Sequence, residues 1–315
     1  KSTVQIKSST ITLVGCRWMG SKVFYSRFHR CYLAKFTLAM IDLVVLGAEC
    51  ELPLHKQVLA VCADIRLIPE RDCPNPLDPN QVNGLVLLDI DDKPYWLDAA
   101  LTAGVPVMAT HPIQRLDRNN RSEPESQVPL CILSTGRHTQ LSKGLVAGPI
   151  AAQPTSYYEL ELEFDSSQYD LRRETVQAQL VLVVCDMLLH AWGPVDELYS
   201  RTRNFFHRGP VEDIITVLLR MRNGVEGLLK LIDYPGLELK LRVRTFADGG
   251  NSDNAVSLAW CAEDLQVFYR NFTACIQGRA QPLLGRDQVV DSYQLLQWMR
   301  ASARSDSVLS YGDIR

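Results

Sequence analysis

Short apolar runs alternate with stretches of helical period through residues 11–109. Ile11–Gly15 (ITLVG), Ile41–Leu46 (IDLVVL), Gly84–Leu88 (GLVLL) and Val105–Ala109 (VPVMA) are rich in β-branched residues and of strand length. Between them, Ser21–Arg30 places Val23, Phe24, Tyr25 and Phe28 on an inward stripe. Leu54–Ala63 and Pro94–Ala103 repeat the helical period, and Gly104 ends the latter. Arg66–Pro69 reads as a short extended piece, and the Pro- and Asn-rich Asp72–Asn83 as loop. Strand–helix alternation of this kind predicts a parallel sheet with helices on both faces. Ligands of such sheets bind at the carboxyl ends of the strands. The informative positions are therefore those just after Val14, Leu46, Leu88 and Ala109.

The pattern changes in the second half. Arg115–Val128 is charged and without apolar period, an exposed loop. Ser156–Phe164 (SYYELELEF) and Leu237–Phe246 (LELKLRVRTF) alternate as half-buried strands do. Val211–Met221 and Gly227–Tyr234 are further strands. Glu174–Trp192, Glu263–Gln277 and Gln288–Ala303 read as helices. This predicts an α+β domain with an open, mostly antiparallel sheet, whose second face is expected to be apolar and to bury itself in a dimer.

Composition narrows the function classes. The 315-residue chain has a formal charge of -3 and a hydrophobic fraction of 46%. No cationic excess is present to neutralise phosphates, so nucleic acid is not an expected partner. The longest apolar runs, such as Gln179–Met187, fall short of the roughly 20 residues of a membrane span. Nine scattered Cys include no C-x-x-C pair and read as reduced thiols of a cytoplasmic protein. No G-x-S-x-G, Walker or H-E-x-x-H motif occurs. No metal is expected, and the Asp89–Asp92 run reads as helix cap and cofactor groove.

The strongest local signal is Val14-Gly15-Cys16-Arg17-Trp18-Met19-Gly20, between predicted strand and helix. A dinucleotide fingerprint has glycine at its first, third and sixth places. Gly15 and Gly20 fit, while Arg17 puts a side chain at the third place, where it either meets a phosphate or blocks it. The next strand ends at Gly47-Ala48-Glu49-Cys50-Glu51, so Glu49 or Glu51 is the candidate carboxylate for an adenosine ribose.

The order of these pieces resembles the Gfo/Idh/MocA oxidoreductases. The segments that carry the likeness are the degraded glycine loop, GLVLL, Tyr95–Gly104 (YWLDAALTAG), VPVMATHP, Asp186–Val195 and Phe268–Ala303. The resemblance implies an N-terminal Rossmann-like doubly wound parallel sheet over residues 1–113. A C-terminal α+β substrate-binding and dimerisation domain follows over 114–315, with helix 288–303 able to pack back on the first. It also implies a cofactor site of Gly15, Arg17, Trp18, Met19, Gly20 and Glu49, with Asp89, Thr110 and Pro112 along the groove. The family's Glu-Lys-Pro stands here as Thr110-His111-Pro112. The Asp and His that sugar dehydrogenases carry before the Asp matched by Asp186 are Gln179 and Val183, neither of which can take a hydroxyl proton.

Among family members the closest likeness is to the thiazolinyl imine reductases of siderophore biosynthesis. They resemble the chain at Arg17-Trp18, at His111-Pro112 and along the apolar helix Leu180–Gly193. Reduction of C=N needs a proton donor, and His111 is the candidate, with His138 second; His190, His55, His29 and His207 read as packing or surface residues. The expected cofactor is NADP, with NAD the alternative. The expected substrate is a small molecule or one bound to a carrier protein, and the expected assembly a homodimer. The competing expectation is a non-catalytic binding or scaffold protein that keeps the fold.

Overall fold

In a computed structural model the chain separates into two units, Lys1–Ala39 and Met40–Arg315. The structure describes residues 5–6, 9–10, 40–47, 52–62, 64–68, 73, 77–88, 93–110, 128–134, 155–169, 172–206, 211–247, 250–256, 258 and 262–310. In the first unit these comprise only β1 (Gln5–Ile6) and β2 (Ser9–Thr10), an antiparallel pair. The strand and helix expected at 11–30 lie outside the described residues.

The second unit opens with a five-stranded sheet. Its strands are β3 (Ile41–Leu46), β4 (Ile65–Ile68), β5 (Gly84–Leu87), β6 (Val107–Thr110) and β7 (Leu130–Leu133). All pairings are parallel, in the order β4-β3-β5-β6-β7. Helix α1 (Leu52–Ala60) joins β3 to β4, and α2 (Lys93–Ala103) joins β5 to β6. The strands β5 and β6 are buried at every residue, as parallel strands covered on both faces must be.

Side-chain alternation splits the two covering layers. Leu43, Val45, Val86, Leu88, Met108 and Leu133 pack with Val58 and Leu59 of α1 and with Leu265, Phe268, Tyr269 and Phe272. These last four belong to α4 (Ala262–Ile276), so a helix from late in the chain closes one face of the early sheet. His55 sits in the same layer, its Nδ1 2.8 Å from the Tyr269 hydroxyl, a packing role as expected. Val44, Leu46, Leu85, Leu87, Val107 and Ile132 point the other way, into a core shared with the second sheet.

That sheet has seven strands: β8 (Thr155–Phe164), β9 (Val195–Arg203), β10 (Ile214–Met221), β11 (Glu226–Asp233), β12 (Lys240–Ala247), β13 (Gly250–Val256) and β14 (Leu309–Ser310). Its order is β13-β12-β8-β11-β10-β9-β14, parallel between β8 and β11 and antiparallel elsewhere. The expected combination of a parallel sheet with an open, mostly antiparallel one is thus the fold. Tyr158, Leu160, Leu162, Leu229, Leu231 and Val243 form the inner face. Gly227 is required there, because a Cβ would overlap the Tyr158 ring, itself stacked on Trp192 at 4.1 Å.

Two helices fill the space behind this sheet, α3 (Arg173–Trp192) and α5 (Arg286–Ser305). Helix α3 is long and apolar enough, by length and composition, to cross a membrane, although no single apolar run is. Here 67% of its apolar window is buried in the core. It ends at Gly193 (φ 86°), whose N–H still reaches Leu189 O; a left-handed residue there is cheapest as glycine.

The outer face corrects the expectation of an apolar surface. Glu159 pairs with Arg244, Glu161 with Lys230 and Arg242, and Asp253 with Arg242 and Arg244. Alternation placed a residue outward at every second position but did not make those positions apolar. Apolar side chains remain at Leu218, which is 53% exposed, and at the half-buried Leu228 and Ile232.

Candidate functional site

The chain runs from β3 outward to β4 on one side and to β5 on the other, so the strand order reverses between β3 and β5. In an open α/β sheet a crevice forms outside the carboxyl ends at that reversal. Gly47 follows β3 there, and Leu88 follows β5. Leu88 N donates to Leu46 O at 2.8 Å, bringing the two ends together. A Cβ on Gly47 would overlap Leu88 Cβ, so the turn leaving β3 needs glycine.

The next two strand ends carry polar side chains in a nearly dry setting. Lys93, the first residue of α2, is 6% exposed. Its Nζ donates to Thr110 Oγ1 at 2.9 Å and to Thr110 O at 3.3 Å. This pins the start of α2 to the last residue of β6. On the adjacent strand, Ser134 follows β7 and donates its hydroxyl to Asp186 Oδ2 at 3.4 Å. Both residues are at most 1% exposed. Thr110 is paired in register with Leu133, so these two polar groups stand side by side along the edge.

Asp186 lies midway along α3. Residues 179, 183 and 186 share one stripe of that helix, and the Ser134 contact turns Asp186 toward the carboxyl edge of the parallel sheet. The stripe therefore brings Gln179, half-buried, and Val183, 7% exposed, beside Asp186. None but Asp186 is ionisable. The neighbouring Cys185 thiol is pushed well above its ordinary value, by burial first and by the Asp186 charge second, and is inert as a nucleophile. Among the described residues, no group of three or more His, Cys, Asp or Glu is placed to hold a metal.

Of the residues expected from the sequence, Thr110 is brought to this edge, bound to Lys93. Gly15, Arg17, Trp18, Met19, Gly20, Glu49, Asp89, His111, Pro112 and His138 lie outside the described residues. Sequence reasoning missed Lys93, because a lysine after an acidic run reads as a solvated helix start. It also missed Ser134, whose partner is 52 positions away.

The resemblance sets the dinucleotide phosphates at Gly15–Gly20, outside the described residues, and the adenosine ribose beside the carboxyl end of β3. Gly47 offers no open cradle there, because Leu88 fills the space that a Cβ would take.

No family model matches the sequence, and no curated protein sequence matches it. Solved structures do. The WlbA dehydrogenase from Bordetella pertussis, in complex with NADH and UDP-GlcNAcA, is 17% identical with a TM-score of 0.72, over 86% of this chain and 98% of that one. A myo-inositol dehydrogenase from Corynebacterium glutamicum is 11% identical with a TM-score of 0.70, over 86% and 99%. An oxidoreductase from Agrobacterium radiobacter, in complex with NAD+, L-tartaric acid and magnesium, is 11% identical with a TM-score of 0.66, over 88% and 100%. At these identities the likeness shows the fold alone, a parallel sheet followed by a mixed one.

Proposed function

We propose that the chain is a nicotinamide-dependent oxidoreductase of Gfo/Idh/MocA type that works as a reductase. Its substrate on this reading carries a C=N bond, a thiazolinyl imine of siderophore or natural-product biosynthesis, free or bound to a carrier protein. NADP is the favoured cofactor and NAD the alternative. The setting is cytoplasmic, and the protein is a homodimer through the outer face of the mixed sheet around Leu218, Leu228 and Ile232, which light scattering checks.

The observation that carries the reading is the α3 stripe. Asp186, held by Ser134, marks the helix face beside the ligand edge, and that face offers Gln179 and Val183 where oxidation of an alcohol needs a base. A site without a base for a hydroxyl proton suits addition of hydride to a polarised double bond, which calls for a proton donor instead. The histidines at 111 and 138 remain the proposed donors. Fold likeness to an NADH-bound dehydrogenase and an NAD+-bound oxidoreductase supports the cofactor class.

The test is thermal unfolding with and without NADPH and NADH, followed by absorbance assays of cofactor consumption with 2-substituted thiazolines and, for comparison, inositol. Ligand at about 100 times its dissociation constant stabilises by roughly 2.7 kcal/mol. A shift together with thiazoline-dependent consumption is expected. Absence of any shift, on folded protein, sinks the redox reading and leaves the scaffold.

A further inference from the structure

We propose that a notch behind α3 binds a small zwitterionic amino acid with a short aliphatic side chain. The notch lies between α3, α5 and the inner face of β9 and β10, with Val181, Ile215, Leu296 and Met299 as apolar walls. The space between the walls is about 330 Å³, counting the part open to solvent. Its closed end takes about one group the size of a water molecule or a methyl. Small side chains open it: Ala178 on α3 and Ser200 on β9 stand where larger apolar ones would fill the gap. Helical period puts Gln177, Ala178 and Val181 on the face of α3 opposite Gln179, Val183 and Asp186. The notch is therefore separate from the candidate site at the sheet edge, and its ligand does not depend on the redox reading.

Two features point to an occupant. The first is inside. Ser200 is fully buried, yet its hydroxyl has no hydrogen-bond partner. Its backbone N–H donates to Ser302 Oγ at 2.9 Å, which fixes the residue in place. A buried polar group without a partner is costly, and a fold that keeps one calls for a reason. Beside it, the buried Gln177 donates Nε2 to Glu212 O at 2.7 Å, which leaves its carbonyl oxygen for a donor.

The second feature is at the rim. Arg300 and Glu212 line the opening, and neither enters an ion pair among the described residues. Arg173, Arg220 and Arg244 of the same unit are all paired. A guanidinium takes a carboxylate on two parallel N–H donors, and a carboxylate takes an ammonium. A free α-amino acid carries both groups on one carbon, so it meets both rim charges while its side chain enters the apolar notch. A carboxylic acid or an amine alone meets one rim charge and is opposed by the other.

The experiment titrates the full chain with L-2-aminobutyrate by calorimetry. Butyrate lacks the ammonium, propylamine lacks the carboxylate, and L-phenylalanine carries a ring too large for the closed end. Arg300→Gln and Glu212→Gln remove the rim charges, and Ser200→Val fills the notch; each variant is checked for cooperative unfolding. The wild type is expected to bind L-2-aminobutyrate with a Kd of about 1 mM, within reach of a ligand of so few atoms. The other three probes should bind roughly tenfold or more weakly, and each rim variant should lose roughly as much. Ser200→Val should abolish binding; if it does not fold, the rim variants decide alone. No binding by the wild type overturns the inference. So does equal binding of butyrate or propylamine, or undiminished binding by the rim variants.

Discussion

The two sheets of the larger unit handle charge in opposite ways. The parallel sheet is largely apolar along its central strands, with β5 and β6 buried throughout; Asp42 of β3 pairs with Arg66 at its outer strand, and Lys93 and Asp186 meet the sheet where strands end. The mixed sheet alternates along every central strand and lays Glu159, Glu161, Lys230, Arg242 and Arg244 in paired rows across its open face. The difference follows from coverage. A sheet with helices on both faces has no wet surface on which to put a charge, so its chemistry is confined to its rim. A sheet with one wet face can hold many charges that do no chemistry.

Among the described residues a buried charge cluster lies at the mixed sheet, and it is the strongest place to test this contrast. Arg173 Nε donates to Asp233 Oδ2 and Nη2 to Asp213 Oδ1, each at 2.7 Å, with both carboxylates fully buried. Asp213 Oδ2 also accepts the N–H groups of Phe205 and Phe206, at 2.5 and 2.6 Å. Asp213→Ala strips one acceptor from a partly buried guanidinium and from two backbone N–H groups, and should cost about 3–5 kcal/mol in urea unfolding. A loss below about 1 kcal/mol would show that this cluster belongs with the surface pairs.

At the rim of the parallel sheet, Gly47→Ala tests packing without touching a charge. Its new methyl group meets Leu88, and the expected loss is about 1–3 kcal/mol. If the rim is a ligand site, the same variant weakens NADH binding beyond what its stability loss explains, read by titration well below the unfolding temperature. The smallest effect is expected on the open face. Arg244 is 36% exposed in its side chain and reaches Glu159 Oε2 at 3.1 Å. Arg244→Ala should cost less than about 1 kcal/mol, and less still in high salt; thermal unfolding at two salt concentrations checks it.

Much of this was legible before the structure. Apolar runs of strand length gave β3, β5 and β6, and clean alternation gave β8 and β12. Helices α1 to α5 fall within a few residues of the segments whose period announced them. The strands β9 and β13 were not legible. In VDELYSRTR only Val195, Leu198 and Ser200 face inward, too few apolar residues for a pattern, and GNSDNAV is a strand because β12 pairs with it. Pairing order was hidden as well. Nothing local in IDLVVL says that it lies between β4 and β5, yet that placement brings Gly47 beside Leu88 at the crevice. The polar rim stayed out of sight for a similar reason: Lys93 with Thr110, and Ser134 with Asp186, become neighbours only when strands separated in sequence lie side by side.

The helix Ala262–Ile276 covers a sheet that begins at Ile41. During synthesis the early strands leave the ribosome long before this cover exists, and Leu43, Val86 and Met108 wait as an open greasy surface. The first sheet therefore matures late, its birth and its completion separated by the synthesis of six of the seven strands of the mixed sheet. Contacts that span so much chain form slowly and leave sticky intermediates in the meantime.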